Sequence, residues 1–293
     1  MDLKTPKVSV IIPTYNSGRT LGECLASVLG VDYPKEDLEV LVVDDGSTDD
    51  TKKVVEELAG KDRILKYLFQ KNSGPATARN TGIRKAAGEI ILLTDSDCIV
   101  QGGWIGKILG ALDGSDVAGG SLIPASSATV WEEFEQARRD RLYGKTKKFV
   151  EALPSCNLAF RKNVWKQVGG FDEDYKYPSF EDYDFCRRAA DHGFRILYDP
   201  EIPVVHKHSA TLRGIIRRAL MHGRESILYR KKRGESSILA WQAKLLFKAL
   251  IVPYTTITRY NIKHMPASLL YEAATVIGQQ QGIARYGLGW AKG

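Results

Sequence analysis

The sequence predicts an α/β protein in which a mostly parallel sheet is flanked by helices and followed by a basic helical tail. Short apolar runs rich in β-branched residues alternate with segments of helical periodicity between residues 8 and 94. Strands that alternate with helices form right-handed βαβ units and a parallel sheet. The 293 residues, 43% of them hydrophobic, are enough to bury a substantial core.

The predicted strands and helices follow from these runs in order. The first strand is predicted at residues 8–13, where Val and Ile are followed by Pro13. Leucines and valines at helical spacing predict the first helix at residues 21–29. Ser47 or Thr48 is predicted to cap the second helix, and Gly88 to follow the third. The other predicted strands are residues 38–43, 64–69 and 89–94, and the other predicted helices are residues 48–58 and 77–87.

Polar residues directly follow three of the predicted strands. In open α/β sheets, ligands bind beyond the carboxyl ends of the strands. We therefore expect these polar clusters to converge on one edge of the sheet and to form an active site. The clusters are Thr14-Tyr15-Asn16, Asp44-Asp45 and Asp95-Ser96-Asp97.

The pair Asp95 and Asp97 has the chemistry of a metal site. Two carboxylates one residue apart at a strand end can both reach a hard cation, and bound Mg²⁺ or Mn²⁺ keeps open positions for diphosphate oxygens. A solvated acidic turn explains the same two residues when they are considered alone. Their position after an apolar strand, on the edge that also carries Asp44, favours a functional site.

The other residues of this edge favour a nucleotide as the ligand. Asp44 can accept a hydrogen bond from a base N–H, although the Asp-Gly-Ser that follows is also ordinary turn chemistry. Tyr15, close to Pro13, offers an aromatic face for stacking on a base or for packing. Arg79, one turn inside a helix, can pair with phosphate or a base edge, or lie on the surface.

The charge distribution and the cysteine content indicate where in the cell the protein is expected to be located. The net charge of +7 is uneven: residues 207–293 carry 15 Lys and Arg against three acids, whereas residues 1–206 carry 27 basic and 32 acidic residues. The four cysteines are scattered without zinc-binding spacing, and residues 1–7 lack the apolar core of a secretory signal. We expect free thiols and a cytoplasmic location, with a disulfide as the alternative.

The basic excess defines a tail, residues 209–293, after a catalytic domain at residues 1–208. A cationic cluster precedes an apolar stretch at residues 238–252, which polar residues such as Gln242 make a poor transmembrane span. Such a segment suits the surface of an anionic membrane, or packs on the domain or in a homodimer interface. No nucleic acid partner is expected, since no module for one is recognisable. The cluster comprises Arg213, Arg217, Arg218, Arg224, Arg230, Lys231, Lys232 and Arg233.

A series of motifs runs through the first 206 residues in a recognisable order. They are residues 8–16, the run Asp44-Asp45-Gly46-Ser47-Thr48-Asp49, residues 74–82, Asp95-Ser96-Asp97, residues 155–162, Gly169-Gly170-Phe171-Asp172, residues 180–185 and Val204-Val205-His206. In this order and spacing they resemble family 2 glycosyltransferases of the GT-A fold, over about 200 residues. The resemblance implies a nucleoside diphosphate sugar donor, in particular a UDP-linked sugar, bound by residues 1–100, and an acceptor region at residues 101–208.

The resemblance also implies roles for individual positions. Asp182 matches the general base, which takes the proton of the acceptor hydroxyl as it attacks the anomeric carbon. Glu181 would position or tune this base, and Asp184 would begin the next helix. Asn157 would line the acceptor pocket or satisfy backbone groups, and His206 would be a third metal ligand or a structural residue. The implied metal ligands are Asp95, Asp97 and His206, and the implied nucleotide and substrate contacts are Pro13, Thr14, Tyr15, Asp44, Arg79, Asp95, Ser96, Asn157 and Glu181.

The sequence departs from processive family members, which carry a Gln-x-x-Arg-Trp element after the base. Its absence favours transfer of one sugar, and a single base without a second nucleophile favours inversion. The tail favours a glycan or polyprenyl-linked acceptor at the inner face of the cell membrane. Two other classes stay open: a sugar-phosphate nucleotidyltransferase, for which residues 14–19 are only a faint Gly-rich loop, and a non-catalytic nucleotide-sugar-binding scaffold, which would tolerate loss of Asp182.

Overall fold

The structure is a computed structural model that describes residues 8–60, 62–125, 129–207, 211–234 and 265–286. The chain divides into two compact units, of which the first comprises residues 1–125 and 143–208. The second comprises residues 126–142 and 209–293. One division between the units falls at residue 208, where the composition becomes basic. Residues 126–142, which lie within the predicted catalytic domain of residues 1–208, belong to the second unit.

The elements are numbered in chain order. The strands are β1 (Val8–Thr14), β2 (Leu38–Asp44), β3 (Leu65–Phe69), β4 (Ile90–Thr94), β5 (Cys98–Val100), β6 (Val117–Pro124), β7 (Lys148–Phe149), β8 (Asn157–Arg161) and β9 (Ile196–His206). The helices are α1 (Leu21–Leu29), α2 (Thr51–Ala59), α3 (Pro75–Lys85), α4 (Trp104–Leu112), α5 (Val130–Tyr143), α6 (Lys162–Val168), α7 (Glu181–Asp191), α8 (Leu212–Lys232) and α9 (Met265–Tyr286).

Within the described residues, the first unit contains one nine-stranded sheet. Its strand order is β3-β2-β1-β4-β8-β6-β9-β5, and β7 pairs with β9. The neighbours β3, β2, β1 and β4 are all parallel, as the βαβ pattern predicts. Beyond β4 the sheet is mixed, because β8 runs antiparallel to both β4 and β6, while β6 and β9 are parallel. The predicted α/β fold with a sheet flanked by helices is confirmed, and the predicted parallel pairing is found from β3 to β4, beyond which the sheet is mixed.

Apolar layers cover both faces of this sheet. Val10 and Ile12 point into the layer that contains the buried residues of α1 and α4, whereas Ile11 between them points into the layer that contains those of α3 and α7. Every residue of β1 and β2 is buried. These strands are mainly apolar, with Ser9 and Glu39 as buried polar exceptions within them, and they do not alternate between polar and apolar residues, as is typical of parallel strands covered on both faces.

The loops after β1 and β2 are locked together by hydrogen bonds. The Asn16 N–H donates to Ser47 Oγ at 2.8 Å, and the Thr48 N–H donates to Asn16 Oδ1 at 2.8 Å. The predicted capping of α2 by Ser47 or Thr48 is wrong, because both residues serve this inter-loop contact and α2 begins at Thr51. The carboxylate of Asp49 instead accepts the Thr51 N–H at 3.0 Å.

The second unit is described by α8, α9 and all but the last residue of α5. Helices α8 and α9 approach closely at Gly223, where an added Cβ would lie 2.1 Å from the Thr275 carbonyl oxygen. Phe134 of α5 is fully buried against Tyr271 of α9, with ring centroids 5.7 Å apart. This packing gives the physical reason why residues 126–142 group with the tail.

The cationic cluster of the tail lies on α8 and just after it. Arg213, Arg217 and Lys232 are exposed on this helix. None of the described helices combines the length and the apolar character that crossing a bilayer requires. The apolar stretch predicted at residues 238–252 lies outside the described residues.

Candidate active site

The carboxyl ends of β1, β2 and β3 meet in one row across the sheet. Thr14 is the register partner of Asp44, and Asp44 is the register partner of Phe69. Tyr15, which follows β1, and Phe69 are 51% and 64% exposed. At the edge that is predicted to bind a nucleotide, the carboxylate of Asp44 therefore lies between two solvent-accessible aromatic rings. Tyr15 is in the loop after β1 on one side, and Phe69 is at the end of β3 on the other.

The carboxylate of Asp44 is held by two neighbours although it is only 1% exposed. The Ser47 N–H donates to Oδ1 at 2.8 Å, and the Tyr67 hydroxyl donates to Oδ2 at 2.6 Å. Burial and then Asp44 itself raise the pKa of Tyr67, so its hydroxyl keeps the proton that it donates. Sequence reasoning missed Tyr67, because it looks like one more apolar residue of β3.

Asp45, the second acid of the same motif, organises the loop before α3. Its Oδ1 accepts the Ser73 N–H at 2.8 Å and the Gln70 side-chain amide at 2.7 Å, and its Oδ2 accepts the Gly74 N–H at 2.8 Å. Gly74 has φ +96°, which disfavours any residue with a Cβ. The two adjacent acids therefore differ in role: Asp45 fixes a loop and Asp44 faces the edge.

Arg79 of α3 joins two distant motifs in a buried ionic network. Its Nη1 donates to Glu181 Oε1 at 2.8 Å and its Nη2 to Asp95 Oδ1 at 3.1 Å, while Arg79 itself is 3% exposed. Burial would lower the pKa of Arg79, but the carboxylates of Asp95 and Glu181 outweigh it and raise the pKa. Breaking one side of such a buried pair typically costs about 3–5 kcal/mol. The sequence predicted that the Arg79 guanidinium binds the nucleotide, whereas in the structure it donates hydrogen bonds to the carboxylates of Glu181 and Asp95.

The metal motif follows β4, and the pairing of β5 with β9 completes it. Cys98 is the register partner of His206, which brings His206 Nε2 to 3.2 Å from Asp97 Oδ1. Ligand atoms of Asp97, Cys98 and His206 all lie within 4.8 Å of one another. Asp95 lies outside this group, because its Oδ1 accepts from Arg79.

The donor set at Asp97 and His206 fits a divalent cation. A partly exposed carboxylate and imidazole, at 30% and 18% side-chain exposure, leave room for further ligands, and Mn²⁺ accepts both oxygen and imidazole nitrogen. Burial would lower the pKa of His206, but the hydrogen bond to Asp97 and the negative charges nearby together outweigh it and raise the pKa to about 9. A cation at this position would replace the proton of that imidazolium.

Cys98 is the member of this group that sequence reasoning missed. Its hydrogen bond with Cys156 lowers the pKa of the Cys98 thiol, but burial and nearby carboxylates outweigh this bond and raise the pKa. A protonated, fully buried thiol is a weaker ligand than the carboxylate and imidazole beside it. The four cysteines Cys24, Cys98, Cys156 and Cys186 are all buried free thiols, as predicted.

Asp182 lies in the first turn of α7 and is only partly buried. Its Oδ2 accepts the Ser155 N–H at 3.0 Å, so one oxygen is oriented by the loop before β8. Burial and then the Asp182 carboxylate raise the pKa of the adjacent Glu181, against the opposing effect of Arg79. Phe180, just before α7, has φ +72°, a strained value for a bulky residue that often marks functional sites.

Asn157 and Ser96 have contacts within the protein. Asn157 is fully buried: its Oδ1 accepts from Trp104 Nε1 at 3.0 Å, and its Nδ2 donates to the Ile202 carbonyl oxygen at 2.8 Å. Of the two roles proposed from the sequence, this geometry agrees with satisfaction of backbone groups. Ser96 Oγ donates to Ser17 Oγ at 2.8 Å and so links the metal motif to the loop after β1.

The predicted residues thus fall into three groups. Thr14, Tyr15 and Asp44 lie around the ends of β1 and β2, with Pro13 buried within β1. Asp97 and His206 lie together, with Cys98, in a group that could hold a cation. Asp95, Arg79 and Glu181 form the ionic network beside Asp182, and Asp184 pairs with Arg188 at 2.7 Å inside α7.

The sequence of this chain matches the models of known protein families. Residues 9–166 match the family described as Glycosyl transferase family 2, and residues 90–277 match Glycosyl transferase family group 2. The chain therefore belongs to glycosyltransferase family 2, a family of transferase enzymes. This membership agrees with the resemblance drawn from the motifs.

Curated relatives are consistent with this assignment. Glycosyltransferase AglE of Haloferax volcanii is 31% identical over 206 residues, which are 69% of this chain and 67% of that protein. A pre-mycofactocin glycosyltransferase of Mycobacterium tuberculosis is 31% identical over 228 residues, which are 74% of this chain and 46% of that protein. The chain thus spans two thirds of the first relative and less than half of the second.

Solved structures match the fold along nearly the whole chain. A mannosyltransferase of Pyrobaculum calidifontis, in complex with GDP-mannose and Mn²⁺, has a TM-score of 0.67 at 20% identity and covers 95% of this chain and 88% of its own. TarS of Staphylococcus aureus in complex with UDP-GlcNAc has a TM-score of 0.59 at 20% identity, covering 97% and 92%. The fold is therefore the GT-A fold of glycosyltransferases.

Proposed function

We propose that this protein transfers a single sugar from a nucleoside diphosphate donor, with inversion at the anomeric carbon. The observation that carries the proposal is the network in which Arg79 joins Asp95 of the metal motif to Glu181, the neighbour of Asp182. A site for the leaving diphosphate and a candidate base are thereby held in one rigid arrangement. The transferases with this fold that were solved with GDP-mannose and UDP-GlcNAc support a nucleotide sugar as donor.

Different residues bind the donor and take the proton of the acceptor in this proposal. Asp44 binds the base, and Tyr15 and Phe69 offer the rings beside it. Asp182, oriented by the Ser155 N–H, takes the proton of the acceptor hydroxyl as its oxygen attacks the anomeric carbon from the side opposite the diphosphate. With one base and no second nucleophile assigned, a single displacement inverts the anomeric configuration.

A divalent cation, Mn²⁺ or Mg²⁺, fits the donor set of Asp97 and His206, with Asp95 beside it. When bound, it supplies positive charge that stabilises the departing diphosphate. The chain itself holds Asp97 in place through His206 and Asp95 through Arg79, which keeps both carboxylates at the strand end. The Mn²⁺ of the Pyrobaculum calidifontis complex supports a cation of this type.

A panel of nucleotide sugars tests the donor assignment. We expect the whole protein to hydrolyse or transfer at least one UDP-linked sugar in the presence of Mn²⁺, and to lose this activity when EDTA is added. The assay measures release of the nucleoside diphosphate by chromatography. Release from no nucleotide sugar, with or without acceptor extracts, would contradict the proposed function.

The acceptor is proposed to be a glycan or polyprenyl-linked acceptor at the cytoplasmic face of the cell membrane, to which the protein binds peripherally. The support is charge: α8 presents Arg213, Arg217 and Lys232 to solvent, and anionic headgroups attract each such cation by about 1 kcal/mol. Exposed Leu270 and Ile277 on α9 add apolar side chains of the kind that enter a headgroup layer.

Replacing Arg213 and Arg217 by glutamate is expected to lower the partition coefficient onto phosphatidylglycerol vesicles, measured by flotation, by at least about thirtyfold for the pair. Two charge reversals remove the attraction of both cations and add repulsion. Flotation with neutral phosphatidylcholine vesicles measures the uncharged contribution, and Lys52→Glu with Lys85→Glu in the first unit is the matched charge control. Equal flotation of the Arg213→Glu, Arg217→Glu protein and the control would refute membrane docking through α8.

A further inference from the structure

The thiol of Cys98 lies at the proposed cation site, but the proposed reaction does not use it. Mg²⁺ prefers oxygen ligands, and Mn²⁺ accepts oxygen and imidazole nitrogen. A thiolate is instead the ligand of softer cations such as Zn²⁺. Cys98 Sγ nevertheless lies within 4.8 Å of the ligand atoms of Asp97 and His206. A hard oxygen, an imidazole nitrogen and a soft sulfur therefore meet at one place.

Strand pairing holds the thiol at this place. Cys98 and His206 are register partners on the antiparallel strands β5 and β9, so their side chains lie on the same face of the sheet. Asp97 directly precedes β5, and its Oδ1 lies 3.2 Å from His206 Nε2 and 3.9 Å from Cys98 Sγ. Two paired strands, rather than a single loop, therefore keep the thiol and the imidazole beside the carboxylate.

The spacing of the three ligand atoms fits a small tetrahedral cation. Bonds of about 2.3 Å to sulfur and about 2.0 Å to nitrogen or oxygen place the ligand atoms of tetrahedral Zn²⁺ about 3–4 Å apart. The separations of 3.2 and 3.9 Å from Asp97 Oδ1 are already in this range. Cys98 is fully buried, whereas the Asp97 side chain is 30% exposed, so a cation can enter from the side of Asp97.

We infer that Cys98 is a metal ligand through which this site binds thiophilic cations, Zn²⁺ foremost, in competition with Mn²⁺. When Zn²⁺ binds, the Cys98 thiol releases its proton to solvent and a Zn–S bond forms, with Asp97 and His206 as the other protein ligands. Tetrahedral Zn²⁺ then has one open position, whereas a diphosphate chelates a cation through two oxygens. Zn²⁺ is therefore an inhibitor of the transfer, a consequence that rests on the proposed function.

Two other buried thiols lie near this site and provide matched controls. The Cys24 thiol donates to the Asp95 carbonyl oxygen at 3.4 Å, and the Cys156 thiol shares a hydrogen bond with Cys98. Within the part of the chain that the structure describes, neither belongs to the group that Asp97, Cys98 and His206 form. Replacing Cys24 or Cys156 by serine therefore removes a neighbouring buried thiol without removing the proposed ligand.

The first test is titration of the whole protein with Co²⁺ in the absence of nucleotide. Co²⁺ substitutes for Zn²⁺ and shows a sulfur-to-metal charge-transfer band in the near ultraviolet when a thiolate coordinates it. The wild type is expected to show this band, Cys98→Ser to lack it, and Cys24→Ser and Cys156→Ser to keep it. A wild type without the band, or a band that Cys98→Ser retains, would overturn the inference. The wild-type spectrum is decisive even if Cys98→Ser does not fold.

The second test compares Zn²⁺ affinity, measured against a chromophoric chelator, with Mn²⁺ affinity, measured by electron paramagnetic resonance. Sites of nitrogen and oxygen ligands also prefer Zn²⁺ to Mn²⁺, so the change on Cys98→Ser is the informative quantity. This variant is expected to bind Zn²⁺ about 100-fold more weakly and Mn²⁺ within about threefold of the wild type.

Thermal melts verify that the variants are folded. A folded Cys98→Ser protein that keeps its Zn²⁺ affinity, or loses Zn²⁺ and Mn²⁺ affinity equally, would contradict coordination by sulfur. Failure of the proposed function is a separate result, namely a protein that gives the expected Co²⁺ and Zn²⁺ binding but releases nucleoside diphosphate from no nucleotide sugar.

Discussion

Replacing Asp182 by asparagine is expected to lower kcat for sugar transfer about 10³-fold, the effect of losing a general base. Asparagine keeps the shape and can still accept the Ser155 N–H that orients this side chain at 3.0 Å, but it cannot take a proton. The Kd for UDP should change less than about twofold, because the nucleoside is proposed to bind at the ends of β1 and β2. The measurements are initial rates with saturating donor and calorimetric titration with UDP.

The matched control for this variant is Asp191→Asn. Asp191 is an exposed aspartate at the last residue of the same helix, α7, and its replacement is expected to leave kcat and Kd unchanged. Turnover of Asp182→Asn within tenfold of the wild type would remove Asp182 from the role of base. A parallel loss of UDP binding would instead indicate that α7 has shifted together with its Arg79–Glu181 contact.

The parallel half of the sheet could be predicted from the sequence because its information is local. Helix α1 lies at the predicted residues, and β1, β2, β3 and β4 each agree with the predicted range within one residue at either end. Continuous apolar runs define buried parallel strands, and parallel strands necessarily bring their carboxyl ends to one edge. The meeting of Thr14 with Asp44 follows from this geometry alone.

The remaining features depend on long-range pairing that no local pattern encodes. Strand β5 is three residues long, yet its antiparallel pairing with β9 is what brings His206 to Asp97. Arg79 and Glu181 are 102 residues apart, and only the packed fold reveals that they form an ion pair. The role of Tyr67 was hidden for the opposite reason, since an aromatic residue in a buried strand predicts packing, not a bond to a carboxylate.

Replacing Asp97 by asparagine is expected to weaken Mn²⁺ binding in the UDP complex about 100-fold and to lower the transfer rate by a similar factor. An amide oxygen is a poor substitute for a carboxylate on a hard cation. The variant also removes the charge that holds His206, at 3.2 Å from Asp97 Oδ1. Mn²⁺ titration followed by electron paramagnetic resonance measures the affinity, and exposed Asp113, at the end of α4, gives the control Asp113→Asn.

The pH dependence of the same titration separates the two roles considered for His206. Since Asp97 and the negative charges nearby raise the pKa of His206 to about 9 against the effect of burial, the imidazole is protonated at neutral pH, and a cation that binds it must displace that proton. Mn²⁺ affinity of the wild type should then rise about tenfold per unit between pH 6 and 8, and His206→Gln should lack this dependence. If His206 were only the ionic partner of Asp97, the cation would still compete with the imidazolium, and His206→Gln would bind Mn²⁺ at least as tightly as the wild type at every pH. A ligand role requires instead that the variant binds more weakly at pH 8, because only then is a coordinating nitrogen lost rather than a competing charge.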